Sequence, residues 1–405
     1  MNLNPKMIKK EQTLSLLYIS LNNILIPLIS LSQLILIVRI SGIQLWTVLA
    51  IGFSLGGIAQ AFIDRGYANS GSSLLFKEKH LYFLAMDSIR HRIPVFMTFV
   101  IGGLVPSILI ESENFDLIYL SYLSFCLSGL SVDWVQISSG RYFQLMLTSA
   151  VPRLVASVVG LSAYVFTQSI SAILLSAIIN SALNVVFGVY SLSFSKIPSE
   201  NREKKLLEKE DYILRVTNDI IWLMPIPLVN HYSPVIAPMF TFIDRLLKFP
   251  LLFVLQNTNQ FLMHSMLSGG HLNRSKFHKS LLIHGVTGFI FGIGTLFILP
   301  EGVRLISDDV LTIASVDAFY LGIFAFFLFI TRSFTQHYFL LTSQKHLLVK
   351  VNCIFVVLYF SLYASGVLVY SKLLMFQAIL QGSIALIFLC IYLGQEFMGK
   401  QLVTK

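Results

Sequence analysis

Apolar runs of about twenty residues recur along the whole chain, and each is long enough for a helix to cross a bilayer. Twelve can be marked, at about 13–38, 44–64, 93–110, 117–137, 143–167, 171–194, 212–230, 234–264, 280–300, 312–338, 348–370 and 373–394. The seventh is short and polar, and the eighth is long enough to tilt or to run past the membrane face. This pattern predicts an all-α polytopic membrane protein with about 12 transmembrane helices. Only 12% of the 405 residues are charged, against about 25% in soluble domains, which excludes a water-soluble enzyme. Cys126, Cys353 and Cys390 lie far apart in apolar runs and are expected as small buried hydrophobes, neither disulfides nor metal ligands. The opening MNLNPKMIKK leads into a run too long for a signal peptide and without a small-residue cleavage site, so the first span is expected to remain in the protein.

The Lys and Arg residues orient these spans, because cytoplasmic loops carry the excess of positive charge. With an inside N-terminus, the inner loops and tails hold twenty-one of the 29 cations, including Arg65, Arg90, Arg92 and Arg141. The outer loops hold three, Arg39, Arg304 and Lys372, together with Glu111, Glu113, Asp116, Glu301, Asp308 and Asp309. One missed or invented span would reverse half the loops and destroy this bias. Both termini are therefore expected in the cytoplasm, and the net charge of +9 reads as a topology signal and not as affinity for nucleic acid.

The longest polar stretch falls between the sixth and seventh spans. It predicts an N-terminal six-helix bundle at 1–195, a charged cytoplasmic linker at 196–211 and a C-terminal six-helix bundle at 212–405. The halves share one local pattern: Asn22 and Asn23 precede Pro27 in the first span, and Asn218 and Asp219 precede Pro225 in the seventh. A mid-span proline removes a backbone hydrogen bond, and interrupted helices at matching positions point to a transport pathway. The tetrapeptide FIDR occurs at 62–65 and at 242–245 in unrelated settings; in the first copy Asp64 and Arg65 are expected to reach water.

Five cations fall inside spans: Arg153, Arg215, Arg245, Lys248 and Arg332. A charge at mid-bilayer costs about 2.5–3.5 kcal/mol on insertion scales, so such groups face a protein interior or an aqueous cavity. Asp244 with Lys248, and Arg215 with Asp219, have i,i+4 spacing and can neutralise one another. That leaves two readings open, self-satisfied pairs or functional groups. Arg153 follows Pro152, with Asp133 on the preceding span as its candidate counter-ion. Arg332 is expected to snorkel to the interface and Asp317 to reach water at the outer end. Together Arg153, Arg245 and Lys248, with Arg215 nearer the cytoplasm, leave the mid-membrane region positive, which suits an anionic ligand and above all a phosphate.

Catalytic motifs are absent: there is no P-loop, HExxH or GxSxG, and no cofactor or metal is expected. His271, His278 and His284 are expected as interfacial histidines. The segment 76–92 is expected to lie on the inner leaflet as an interfacial helix touching anionic lipid.

Three stretches resemble the Wzx-type O-antigen and polysaccharide flippases of the multidrug/oligosaccharidyl-lipid/polysaccharide exporter superfamily. RISGIQLWTVLAIGFSLGGIAQAFIDRGYANSGS at 39–72 is similar to that family's first loop and second helix. DWVQISSGRYFQLMLTSAVPRLV at 133–155 resembles its fourth-to-fifth helix hairpin, with Trp134 and Arg153 as landmarks, although the aromatics often found after that Trp are missing. YSPVIAPMFTFIDRLLKFPLLF at 232–253 resembles its eighth helix, with the pair Asp244–Arg245. The resemblance implies a MATE-like fold and alternating access. The substrate it implies is an undecaprenyl-pyrophosphate-linked oligosaccharide repeat unit, carried across the bacterial inner membrane. Arg153, Arg245 and Lys248 would then meet the pyrophosphate, and Asn22, Asn23, Asn218 and Asp219 would line the polar path. Implied partners are membrane lipids, a polysaccharide polymerase and a chain-length regulator. A membrane-embedded polymerase or ligase fits poorly, because the longest outer loop is only about 301–311; a drug/cation antiporter of the same superfamily is disfavoured by the cationic bias.

Overall fold

The computed structural model describes residues 5–67, 81–110, 113–139, 141–193, 209–267, 274–307, 311–335, 345–364 and 370–397. Among them every regular element is helical. Among the described residues eight helices are long and apolar enough to cross a membrane, and nine if one bent pair counts as a single span. The outward surface is apolar, with Phe166, Leu109 and Ile298 among its most exposed side chains, as a lipid solvent requires. The protein is a multi-pass membrane protein.

The first two expected spans form one helical run, α1 (Pro5–Asp64). It breaks at Gly42, the one residue in it with non-helical dihedrals (φ 83°, ψ 164°). There is open space where a Cβ would sit at Gly42, so backbone conformation and not crowding calls for glycine. The third span is α2 (Leu81–Gly102) followed by α3 (Leu104–Ile110). Residues 81–92 therefore continue directly into that span and are not a separate interfacial helix; 76–80 lie outside the described residues. The fourth span divides into α4 (Phe115–Ser128) and α5 (Asp133–Ser138). The fifth comprises α6 (Tyr142–Leu145), a π-helical turn at Met146–Ala150 and α7 (Val151–Thr167); the sixth is α8 (Ile170–Ser193).

The seventh span is α9 (Lys209–Leu223) and α10 (Pro225–Tyr232), bent by 41°. Here Pro225 and Pro227 delete two amide donors within one turn, so the helix stops and restarts with proline in its first turn, where donors have no partner anyway. Pro27 deletes one donor, and the dihedrals of α1 remain helical there. The matching interruptions expected in the two halves thus reduce to one. The remaining helices are α11 (Ala237–Leu267), α12 (Arg274–Ile306), α13 (Ser315–Ser333), α14 (Lys345–Ala364) and α15 (Tyr370–Phe397).

The chain forms two compact units: residues 1–34 with 44–227, and residues 35–43 with 228–405. The short excursion 35–43 is tied into the second unit where Arg39 donates to the Leu305 carbonyl at 3.0 Å. In the second unit α12 and α13 pack backbone to backbone: a Cβ at Gly292 would sit 2.9 Å from the Gly322 carbonyl oxygen, and one at Gly322 would sit 2.7 Å from that of Gly292. Most of the charged stretch at 196–211 lies outside the described residues, as does His271.

Several side chains sit deeper or shallower than the sequence implies. Cys126 is buried, but Cys353 and Cys390 are exposed on the helix surfaces. Asp317, expected to reach water, is only 5% exposed. His284 is buried rather than interfacial, its Nδ1 3.0 Å from the Ser280 carbonyl one turn back. His278 does stand near the surface, 2.7 Å from the Tyr392 hydroxyl.

Candidate functional site: intramembrane charges in each unit

In the first unit, Arg153 is placed by a local irregularity. The Val151 amide reaches back five residues to the Met146 carbonyl, and this wider turn accommodates Pro152, whose ring lacks a donor and crowds a normal helical turn. Arg153 then projects against α1, where its Nη2 donates to the Ser30 hydroxyl at 2.9 Å. Ser30 in turn donates to the Ile26 carbonyl, Ser157 to the Arg153 carbonyl, and Gln33 Nε2 to Ser157 at 2.9 Å. No carboxylate lies within ion-pairing distance of Arg153 among the described residues, so one hydroxyl serves a group with five donors. Two turns earlier on α1, Asn22 and Asn23 are buried, and the Asn22 side-chain carbonyl accepts no hydrogen bond.

Asp133 is not the counter-ion of Arg153. Its carboxylate is within hydrogen-bond reach of Ser131 and Asn184 instead, because the chain unwinds between α4 and α5 and turns Asp133 towards α8. The unwinding is held by Arg92, which the charge distribution had placed in an inner loop. Arg92 is 0% exposed. Its Nη1 donates to the Gly129 and Ser131 carbonyls at 2.8 and 3.0 Å, and its Nε and Nη2 reach the Ser88 carbonyl and hydroxyl. Asp64 supplies the opposite charge at 3.8 Å, and the Tyr67 ring lies 5.1 Å from the guanidinium carbon. Asp64 is itself only 7% exposed, so of the first FIDR copy Arg65 reaches the surface and Asp64 does not. A sequence signal for Arg92 exists: it continues the buried stripe Leu81, Leu84, Ala85, Ser88 at helical spacing.

On α9, Arg215 and Asp219 form an ion pair at 3.3 Å, with Asn218 half-buried beside them. In the second unit Lys248 and Asp244 pair at 2.7 Å on α11, both buried. The other Asp244 oxygen accepts no hydrogen bond, nor does the buried Thr241 hydroxyl one turn earlier make one. Asp244 lies within electrostatic reach of Tyr359 and Tyr363 on α14, whose rings stack 6.1 Å apart, and Gln377 on α15 donates to the Tyr363 hydroxyl at 3.1 Å. Lys248 is thus neutralised within α11, while Arg245 is half-buried next to Asp244. The structure places Arg153, Arg215, Asp219 and Asp133 in one unit, and Asp244, Arg245 and Lys248 in the other.

No family model matches this chain, and no curated protein matches its sequence. Solved structures do. A MATE transporter crystallised in complex with MaL6 is similar with a TM-score of 0.59 at 11% identity, over 96% of this chain and 97% of that one. The MATE transporter ClbM in complex with Rb+ aligns over 94% of this chain and 91% of its own at 13% identity, but with a TM-score of 0.38 it carries no weight here. At such identity the first likeness is one of fold: the chain has the all-helical, multi-spanning fold of a MATE transporter.

Proposed function

We propose that this protein is a transporter that moves an anionic, lipid-linked saccharide across the membrane by alternating access of its two units. The substrate class is an undecaprenyl-pyrophosphate-linked oligosaccharide repeat unit. The observation that carries the reading is Arg153: a guanidinium inside the membrane-spanning part of the chain whose protein partner is a single neutral hydroxyl. A cation left this way is stabilised by an anion that arrives with the substrate, and a guanidinium matches two phosphate oxygens at once. Further intramembrane cations in this reading are Arg215, paired with Asp219, and, on α11 of the other unit, Arg245 beside Asp244 and Lys248 paired with it. Asn22, Asn23 and Asn218 line the polar path. The protein acts as a non-catalytic translocase. In this reading two six-helix bundles, 1–195 and 212–405, are joined by the charged linker, both termini face the cytoplasm, and the membrane is the bacterial inner membrane. The basic inner loops and the resemblance of 39–72, 133–155 and 232–253 support that placement. A polysaccharide polymerase and a chain-length regulator are the partners that would consume the flipped unit.

A cation antiporter is the second reading, favoured by the fold likeness and by one buried oxygen of Asp133 that accepts no hydrogen bond. Complementation of a deletion strain separates the two. Wild type restores surface polysaccharide, whereas Arg153→Ala inserts normally but traps repeat units on the cytoplasmic leaflet. Losing charge-assisted bonds worth about 1.5–3 kcal/mol slows flipping by about ten- to a hundredfold, and Arg153→Lys recovers part of it. Full flipping in Arg153→Ala withdraws this residue from the site. A deletion strain with normal polysaccharide but raised drug sensitivity favours the antiporter.

A further inference from the structure

Gln136 on α5 is 0% exposed, and both ends of its side-chain amide are bonded. Its Oε1 accepts from the Thr148 hydroxyl at 3.0 Å, and its Nε2 donates to the Ser191 hydroxyl at 2.8 Å. Three elements of the first unit therefore meet at one side chain: α5, the π turn at Met146–Ala150 that carries Thr148, and α8 that carries Ser191. The approach of α8 depends on Gly188, where a Cβ would sit 2.8 Å from the Val132 side chain at the start of α5. Burying an amide is costly unless its bonds are made, so packing alone would favour leucine at this position. Nor do the two hydroxyls require the amide. Thr148 can turn its proton to the Gln144 carbonyl at 3.0 Å, and Ser191 already donates to the Gly188 carbonyl at 2.7 Å.

What the amide adds is a tie across elements, at a turn that its own helix closes poorly. Pro152 contributes no backbone donor to the turn that holds Thr148, so that turn is one donor short of a regular ladder. Arg153 follows directly, and its Nη2 reaches Ser30 on α1 at 2.9 Å. We propose that Gln136 is a positioning residue for Arg153: its amide ties the π turn to α5 and α8, and so fixes where the guanidinium projects against α1. A long side chain meets two phosphate oxygens at once only if its base is held still, and a buried amide with bonds to two neighbours holds it better than apolar packing does. Gln136 touches no substrate in this account and acts only through Thr148 and the backbone that leads to Arg153. The structural part of the proposal stands on the first unit alone; its consequence for flipping rests on the transporter reading.

The test reads the Arg153 side chain directly, by solid-state NMR of the full-length protein in lipid bilayers with isotope-labelled arginine; the guanidinium signal lost in Arg153→Lys assigns it. Gln136→Leu is expected to shift and broaden that signal while Tm stays within a few degrees of wild type, since both hydroxyls keep their carbonyls. Thr148→Val is expected to act alike, and Thr148→Ser, which keeps the hydroxyl, to resemble wild type. An unmoved Arg153 signal in Gln136→Leu overturns the proposal, as does a Thr148→Ser variant disturbed as much as Thr148→Val. In the flipping assay Gln136→Leu is expected to lower the rate about fivefold, and to cause no further loss in an Arg153→Ala background. Additive losses, or full flipping in Gln136→Leu, overturn the proposal too. Should Gln136→Leu fail to fold, the two Thr148 variants decide by the same readouts. No saccharide enters the NMR measurement, so a wild type that does not flip overturns the transporter reading and leaves the placement of Arg153 to be judged by its signal.

Discussion

Arg92 and Arg153 show how differently one residue type can sit in the same unit. Around Arg92 the fold provides three backbone carbonyls, a serine hydroxyl and the carboxylate of Asp64, so the charge is compensated within the protein. Removing one partner of a buried pair strands the other, at a cost of about 3–5 kcal/mol. Arg92→Met is therefore expected to lower the thermal stability of the detergent-solubilised protein severely. Adding Asp64→Asn to it should restore part of the loss, because the stranded carboxylate is then gone; no recovery in the double variant would mean that the carbonyl bonds, not the ion pair, dominate. Arg153 has no such enclosure, so Arg153→Ala is expected to change Tm little while it impairs flipping. Arg92 escaped a reading based on loop charge because that reading scores position along the chain. Its place on the buried stripe of α2 was legible, but its partners Gly129 and Ser131 come from another span.

At the scale of elements, departures from regular helix do much to position the candidate groups. The π turn admits Pro152 and sets Arg153 against α1; the unwound stretch after α4 turns Asp133 towards α8; Pro225 and Pro227 bend the seventh span. Gly42 divides α1 for a different reason, its positive φ. Gly42→Ala is expected to destabilise by about 1–3 kcal/mol, because φ 83° with ψ 164° is a backbone conformation that essentially only glycine adopts without strain. Gly102→Ala, also in open space but without a positive φ, is expected to be neutral or slightly stabilising. Equal Tm shifts for the two would refute the conformational account. Prolines and glycines announce such sites in the sequence. Whether the helix bends there depends on how many donors are lost in one turn, which separates Pro225 from Pro27.

For the whole molecule, the distribution of basic residues defines an orientation that chemistry can check. In a background lacking Cys126, Cys353 and Cys390, Glu301→Cys is expected to react with a membrane-impermeant maleimide in intact cells. Ser275→Cys, at the other end of the same helix, should react only after the membrane is opened. The opposite pattern would invert the topology and place both termini outside.

The sequence alone determined that the chain is helical and membrane-embedded, and that Arg153, Arg215, Arg245, Lys248 and Arg332 lie on helices. Those properties follow from local composition, since a bilayer selects runs of about twenty apolar residues whatever their neighbours are. It also determined the i,i+4 pairs Arg215–Asp219 and Asp244–Lys248, because helical geometry brings such residues together. Only the tertiary structure decided which charges find partners beyond their own helix: Arg92 with Asp64, Arg153 with Ser30 alone, Asp133 with Ser131 and Asn184. The physical reason is that desolvation and pairing depend on contacts between distant spans, and the strength of each contact changes over a few ångströms that no spacing along the chain encodes.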